Sequence, residues 1–225
     1  ARWRTSWLSR EIIVLPAFVA GVVVYGAAHW LAAGGMALPV STLAIGAATA
    51  GLALALYLCT GMIYACLKFL QEWASPLTVV NYLLLGCASG FTLATAYAAA
   101  AAPPLTPFFG VTALALTAVA FLTRAASLVR NARLKPRSTL QTAIGIKHPR
   151  IVQKAQGMMG GAFNTREFFH GRSRALLRSV KWAFLLLVFP LPAALLAAGL
   201  AQGSALLLAI AFVVQYLGLL AERWF

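Results

Sequence analysis

Residues 161–171 read GAFNTREFFHG and concentrate chemistry in a chain that otherwise has little of it. Asn164, Arg166, Glu167 and His170 place an amide, a guanidinium, a carboxylate and an imidazole within seven positions. A carboxylate and an imidazole this close can relay protons, because modest changes of environment bring both near neutral pH. On helical spacing Asn164, Glu167 and His170 share one broad face. Glu-x-x-His is also one part of a di-iron ligand set, which needs a second such pair and two further glutamates on facing helices. The second pair is missing, so proton transfer is the expectation and a metal is not.

Three other clusters resemble this one: SWLSRE (6–11), FLQEW (69–73) and AERWF (221–225). Each joins a carboxylate to aromatic residues. Adjacent acid–base pairs recur as Arg10-Glu11, Arg166-Glu167 and Glu222-Arg223. One such pair can simply cap a helix, snorkel to an interface or tie two helices together. Four clusters at one interface predict a partly buried polar pocket. Its candidates are His170, Glu167, Arg166, Asn164, Arg10 and Glu11, followed by Glu72, Trp73, Glu222 and Arg223. A pocket that is apolar below and acid–base above suits a quinone. The isoprenoid tail needs a lipid-facing slot, the carbonyls need donors, and reduction by two electrons takes up two protons. His170 and Glu167 are expected as proton relays, and Arg10 as a ring or partner contact.

The elements that must position these groups are membrane helices. The 225 residues are 62% hydrophobic and only 10% charged, against about 25% charged in soluble domains. Stretches 12–67, 73–123 and 182–221 contain no Lys, Arg, Asp or Glu. A spanning helix needs about 20 apolar residues, so each stretch holds two helices and a turn. Gly34-Gly35, Pro103, Pro104 and Pro107, and Gln202-Gly203-Ser204 mark the turns. The prediction is an all-α integral membrane protein, one polytopic domain over 1–225, with six helices in three hairpins. Their approximate spans are 12–32, 38–66, 77–100, 106–130, 182–200 and 204–222. The alternation of a membrane barrel is absent. The opening ARWRTSW has neither an initiator Met nor a signal-peptide pattern, which predicts a start inside a longer protein with further helices upstream.

Six crossings put both ends, loop 67–76 and loop 124–181 on one side. All 18 basic residues and all four carboxylates fall there, and the three turns on the other side carry none. The positive-inside rule places that side in the cytoplasm. Trp3, Trp7, Trp73, Trp182 and Trp224 belong to the same interface, whereas Trp30 marks the opposite one. The basic 124–181 segment, interrupted by Pro136 and Pro149, reads either as a surface for anionic lipid or as a docking surface for a cytoplasmic partner. A nucleic-acid role is not expected, for want of a recognisable binding fold. Cys59, Cys66 and Cys87 form no CxxC pair, so an iron–sulfur cluster is not expected in this chain. Only His29 lies in a predicted span, so haem is not expected either. The midplanes lack ionisable groups, which argues against transport; Asn81 and Gln215 are the main amides within the spans.

RTSWLSREIIVLPAF, CTGMIYACLKFLQEWASPLTVVNY, GIKHPRIVQKAQGMMGGAFNTREFFHG and LLAERWF together resemble the membrane-anchor subunit of dimethyl-sulfoxide-reductase-type molybdoenzymes. The likeness covers essentially the whole chain and is greatest to the branch that anchors the cytoplasmic sulfite dehydrogenase. It implies a three-subunit complex of a molybdopterin catalytic subunit, a four-cluster iron–sulfur subunit and an anchor that exchanges electrons with ubiquinone or menaquinone. It also implies two helices upstream, ending in a His-Leu-Gly stretch that serves the quinone site and is absent from this chain. Reductases of the family generally work outside the cytoplasmic membrane and consume quinol, whereas the sulfite dehydrogenases work inside and reduce quinone. Polar clusters on the positive side favour the second. The alternatives are a sulfoxide reductase anchor and a purely structural anchor without its own quinone site.

Overall fold

The computed structural model describes residues 3–36, 39–68, 70–135, 140–148, 150–151 and 173–224. Its elements are α1 (Trp7–Ala33), α2 (Thr42–Ala65), α3 (Pro76–Ala101), a 3-10 turn (Pro103–Leu105), α4 (Thr106–Ala132), α5 (Leu140–Ile144), α6 (Arg174–Val188), α7 (Pro190–Gln202) and α8 (Ala205–Trp224). There is no strand among the described residues. Six helical segments are long and apolar enough to cross a membrane, with α6 and α7 joined as the fifth. The all-helical, six-span expectation is met.

The helix starts differ from the sequence reading for one physical reason. A charge-free stretch marks the hydrocarbon layer, but a helix runs on until a residue can cap it. Ser6 accepts from the backbone N–H of Ser9 at 3.4 Å, so α1 begins at Trp7, not near 12. Ser41 accepts from Ala44 at 3.2 Å, and α2 begins at Thr42 instead of 38. Ser173 accepts from Leu176 at 3.2 Å, which carries the fifth span back to Arg174. Serine is favoured there because its oxygen satisfies one of the unpaired first-turn donors. The ends of the 124–181 segment are therefore helical turns, because α4 runs on to Ala132 and α6 starts at Arg174.

Two of the three uncharged turns close on glycine. Gly35 adopts φ +81°, with Met36 N–H bonded to Leu31 C=O at 3.1 Å and Gly35 N–H to Ala32 C=O at 3.0 Å. Gly203 adopts φ +62°, and Ser204 N–H returns to Gly199 C=O at 2.9 Å. The first is a Schellman closure, and at the second Gly203 N–H also bonds to Gly199 C=O; both use a left-handed residue. Trp30 is exposed near the first of these turns, and His29 stands edge-on to Tyr25 with ring centroids 4.6 Å apart.

The chain forms two compact units. The first comprises residues 1–68 and 73–83. In it α1 packs along α2, and Gly46 sits so close beneath Tyr25 that an added Cβ would meet its ring at 2.8 Å. Gly61 likewise brings α2 against the first turns of α3, where a Cβ would lie 3.1 Å from Val79 Cα.

The second unit comprises residues 69–72 and 84–225. Leu85, Ala120, Val188 and Phe189 form one buried cluster, and Ala113, Leu196, Leu208 and Ala211 form another. The inward stripe of α4 is built of small residues, Gly110, Ala113, Thr117, Ala120 and Ser127, at spacings suited to close helix approach. Buried hydroxyls on α3 return to their own helix: Thr92 donates to Ala88 C=O at 2.9 Å and Thr95 to Phe91 C=O at 2.7 Å.

The fifth span breaks at Phe189. Pro190 and Pro192 lack the N–H groups that a continuous helix would direct at the carbonyls of Leu186 and Val188. In hydrocarbon a freed carbonyl must find another donor. Gln215 of α8 supplies one, with Nε2 lying 3.3 Å from Val188 O and 3.3 Å from Thr117 Oγ1. Gln215 is 1% exposed. One turn further on, Gly218 lets α8 reach this break, since a Cβ there would fall 2.7 Å from the carbonyl carbon of Leu187.

Candidate functional site

The groups singled out in the sequence divide between the two units, and each unit's geometry stands by itself. Asn164, Arg166, Glu167 and His170 lie outside the described residues.

In the first unit Arg10 and Glu11 do not pair with each other. Successive helical residues point about 100° apart, so chain neighbours face different surroundings. The Arg10 guanidinium folds back over the start of α1. Its Nε donates to Trp3 O at 3.0 Å, Nη2 donates to Arg4 O at 2.7 Å, and the plane lies 4.1 Å from the Trp7 ring. Glu11 turns instead toward α2, where Thr60 Oγ1 donates to Glu11 Oε1 at 2.5 Å. Both residues are half-buried. Glu11 is thus a carboxylate held between two membrane helices by a single hydroxyl.

One turn beyond Thr60 on α2, Tyr64 begins an aromatic cluster. It stacks on Tyr82 at 5.6 Å and meets Trp73 edge-on at 5.1 Å. The hydroxyl of Thr78 and the N–H of Ser75 both donate to the carbonyl of Trp73 at 2.7 Å. Ser75 then caps α3 by accepting from Leu77 N–H at 3.2 Å, ahead of Pro76. Trp73 is therefore positioned by a tight polar turn, with part of its ring exposed.

In the second unit Glu72 exposes its side chain, and its carbonyl is held by Arg130 of α4. The Arg130 guanidinium donates to Gln71 O at 3.1 Å and to Glu72 O at 3.4 Å. Glu222, on α8, pairs across to Arg124 of α4 at 2.7 Å, while its chain neighbour Arg223 lies 4.0 Å away. The Arg124 and Glu222 side chains are 16% and 9% exposed. Arg124 also stands 5.5 Å from the Phe184 ring, and its buried Nε has no hydrogen-bond partner among the described residues.

Sequence reading missed Thr60, Tyr64, Tyr82, Arg124 and Arg130. Arg124 and Arg130 carried a signal, because both fell within the predicted 106–130 span, where an ionisable residue calls for a named partner. The other three are ordinary in type and spacing; only the packing of helices distinguishes them.

Chemically, the first unit offers a carboxylate, a hydroxyl that orients it, and two phenols beside an indole. The second offers a compensated ion pair and a backbone clamp. Six helical segments are long and apolar enough to cross a membrane, and residues 1–147 match the family described as DMSO reductase anchor subunit (DmsC). The chain belongs to that family. Over 231 aligned positions it is 55% identical to a sulfite dehydrogenase subunit of Allochromatium vinosum, covering 100% of this chain and 71% of that protein. No solved structure matches the chain.

Proposed function

We propose that this chain is the quinone-reactive anchor of an oxidoreductase whose iron–sulfur and molybdopterin subunits oxidise sulfite at the cytoplasmic face of a bacterial inner membrane. The observation that carries the reading is the Glu11–Thr60 hydrogen bond, one helical turn from the Tyr64–Trp73–Tyr82 rings. A quinone ring reduced by two electrons takes up two protons at its oxygens. Glu11 is placed to hand on a proton, Thr60 to fix the orientation of its carboxylate, and the rings to contact a flat aromatic ligand. Similarity to a sulfite dehydrogenase subunit supports the substrate and the direction of electron flow. The charge asymmetry of the sequence supports the cytoplasmic placement. Electrons pass directly between quinone and a partner's iron–sulfur cluster, with no haem in this chain.

A second reading, a structural anchor without quinone chemistry, is favoured by Arg10 and Glu222, whose charged groups are occupied by backbone carbonyls and by Arg124. The assembled complex separates the two. Glu11→Gln, Glu167→Gln and His170→Ala should each slow sulfite-to-quinone turnover while sulfite-to-dye turnover by the partner subunits persists. Unchanged quinone kinetics in all three variants would sink the quinone assignment. Loss of the partner subunits from the membrane, with normal kinetics in the complexes that still assemble, would establish the structural reading.

A further inference from the structure

The fifth span is longer than a bilayer requires. Ala175–Gln202 has 28 residues, about 42 Å of helix at 1.5 Å per residue, whereas the hydrocarbon layer is about 30 Å thick. The far end is fixed by the tight turn at Gly203, and the uncharged run 183–201 by itself fills about 28 Å. The excess therefore falls at the start of α6, which places Arg178, Lys181 and Trp182 at headgroup depth.

Arg178 and Trp182 lie on the outward side of the helix, with Lys181 at its edge. Arg178 and Lys181 are three positions apart and share a face, with Trp182 beside them. Trp182 is 64% exposed and Arg178 is exposed, whereas Lys181 is half-buried and borders the inward face that carries the fully buried Phe184 and Val188. No described residue of the second unit neutralises the two cations. Its described carboxylates are Glu72 and Glu222, and Glu222 is taken by Arg124 at 2.7 Å. Among the described residues neither Arg178 nor Lys181 has an ion-pair or hydrogen-bond partner.

We propose that Arg178, Lys181 and Trp182 form a binding site for anionic phospholipid. The lipid phosphate sits between the guanidinium and the ammonium, and the indole lies at the level of the glycerol esters. An anionic headgroup brings an uncompensated phosphate, whereas a choline headgroup carries its own cation and competes with the two side chains. The site therefore selects by net headgroup charge. It does not depend on the quinone reading.

The test uses the full chain in mixed micelles, titrated with brominated phosphatidylglycerol or brominated phosphatidylcholine, which quench nearby indoles. Subtracting the signal of Trp182→Phe isolates Trp182. The expected result is Trp182 quenching at a much lower mole fraction of phosphatidylglycerol. Arg178→Gln with Lys181→Gln should weaken that preference about thirtyfold, about fivefold per charge removed. The charge-keeping pair Arg178→Lys with Lys181→Arg should retain it, which separates loss of charge from loss of fold. Equal quenching by both lipids, or a preference unchanged in the double glutamine variant, would overturn the proposal. So would shielding of Trp182 from both lipids in the complete complex, because the face would then belong to a protein contact.

Discussion

The side-chain amide of Gln215 lies 3.3 Å from the carbonyl oxygen of Val188, the oxygen whose helical donor would have been the nitrogen of Pro192. A polar residue deep in an apolar bundle thereby repairs a backbone defect on a neighbouring helix. The proline and the glutamine are two halves of one feature, although 23 positions separate them in the chain.

Gln215→Leu keeps the volume but leaves the carbonyl unmet. The expected loss of stability is about 1 kcal/mol, in the range of hydrogen bonds between membrane helices. Unfolding in mixed detergent, followed by helicity, measures it, and a change near zero would show that the carbonyl needs no partner.

Gly218 and Gly199 make a paired comparison. A Cβ on Gly218 would meet the backbone of Leu187 and Val188 at 2.7 and 2.8 Å, whereas one on Gly199 would chiefly meet the side chain of Leu208 at 2.7 Å. Backbone cannot rotate away and a leucine can. Gly218→Ala should cost about 2 kcal/mol, and Gly199→Ala clearly less in the same unfolding assay.

Arg124 and Glu222 should behave as a coupled pair. Removing either alone, as Arg124→Gln or Glu222→Gln, strands a largely buried partner and should cost about 3 kcal/mol. Arg124→Met with Glu222→Met should recover most of that, and Arg223→Gln should cost under about 0.5 kcal/mol. A double-mutant cycle on thermal unfolding reads the coupling directly.

Arg130 should report on the short connection before α3. With Arg130→Ala the carbonyls of Gln71 and Glu72 lose their donor, and hydrogen exchange across residues 70–75 should rise about tenfold, as for the loss of a charged hydrogen bond.

Thr60→Val tests whether Glu11 must be held in place. It removes the hydroxyl while keeping the shape, so the protein should stay folded and partner subunits should remain bound. Quinone-linked turnover should fall about tenfold, the scale of one hydrogen bond to a charged group. Dye-linked turnover should not change.

Much of this architecture was legible in the sequence, because lipid imposes one strong rule. Three charge-free stretches of 56, 51 and 40 residues leave room only for paired helices. The same rule fails at the helix ends, where capping by Ser6, Ser41 and Ser173 governs the start and hydropathy does not. The acidic and basic neighbours in the sequence were the less faithful guide. Arg10-Glu11 looked like a pair, yet on a helix the two diverge and Thr60 holds Glu11; Glu222 keeps Arg223 at 4.0 Å but has its shorter contact with Arg124 at 2.7 Å. Which helix faces which is a matter of packing, and no local pattern around Thr60 announces that α1 will present a carboxylate to it.

The two glycine-closed turns bear on how such a chain enters a membrane. Each hairpin has to push its tip through hydrocarbon before the helices settle. A tip with exposed amides or a single lysine would stall there. At Gly35 and Gly203 the tip arrives with its terminal N–H groups already returned to Leu31 and Gly199, and with no charge to strip of water. The turns thus ease insertion, because each of these two hairpin tips can enter hydrocarbon with its end already closed.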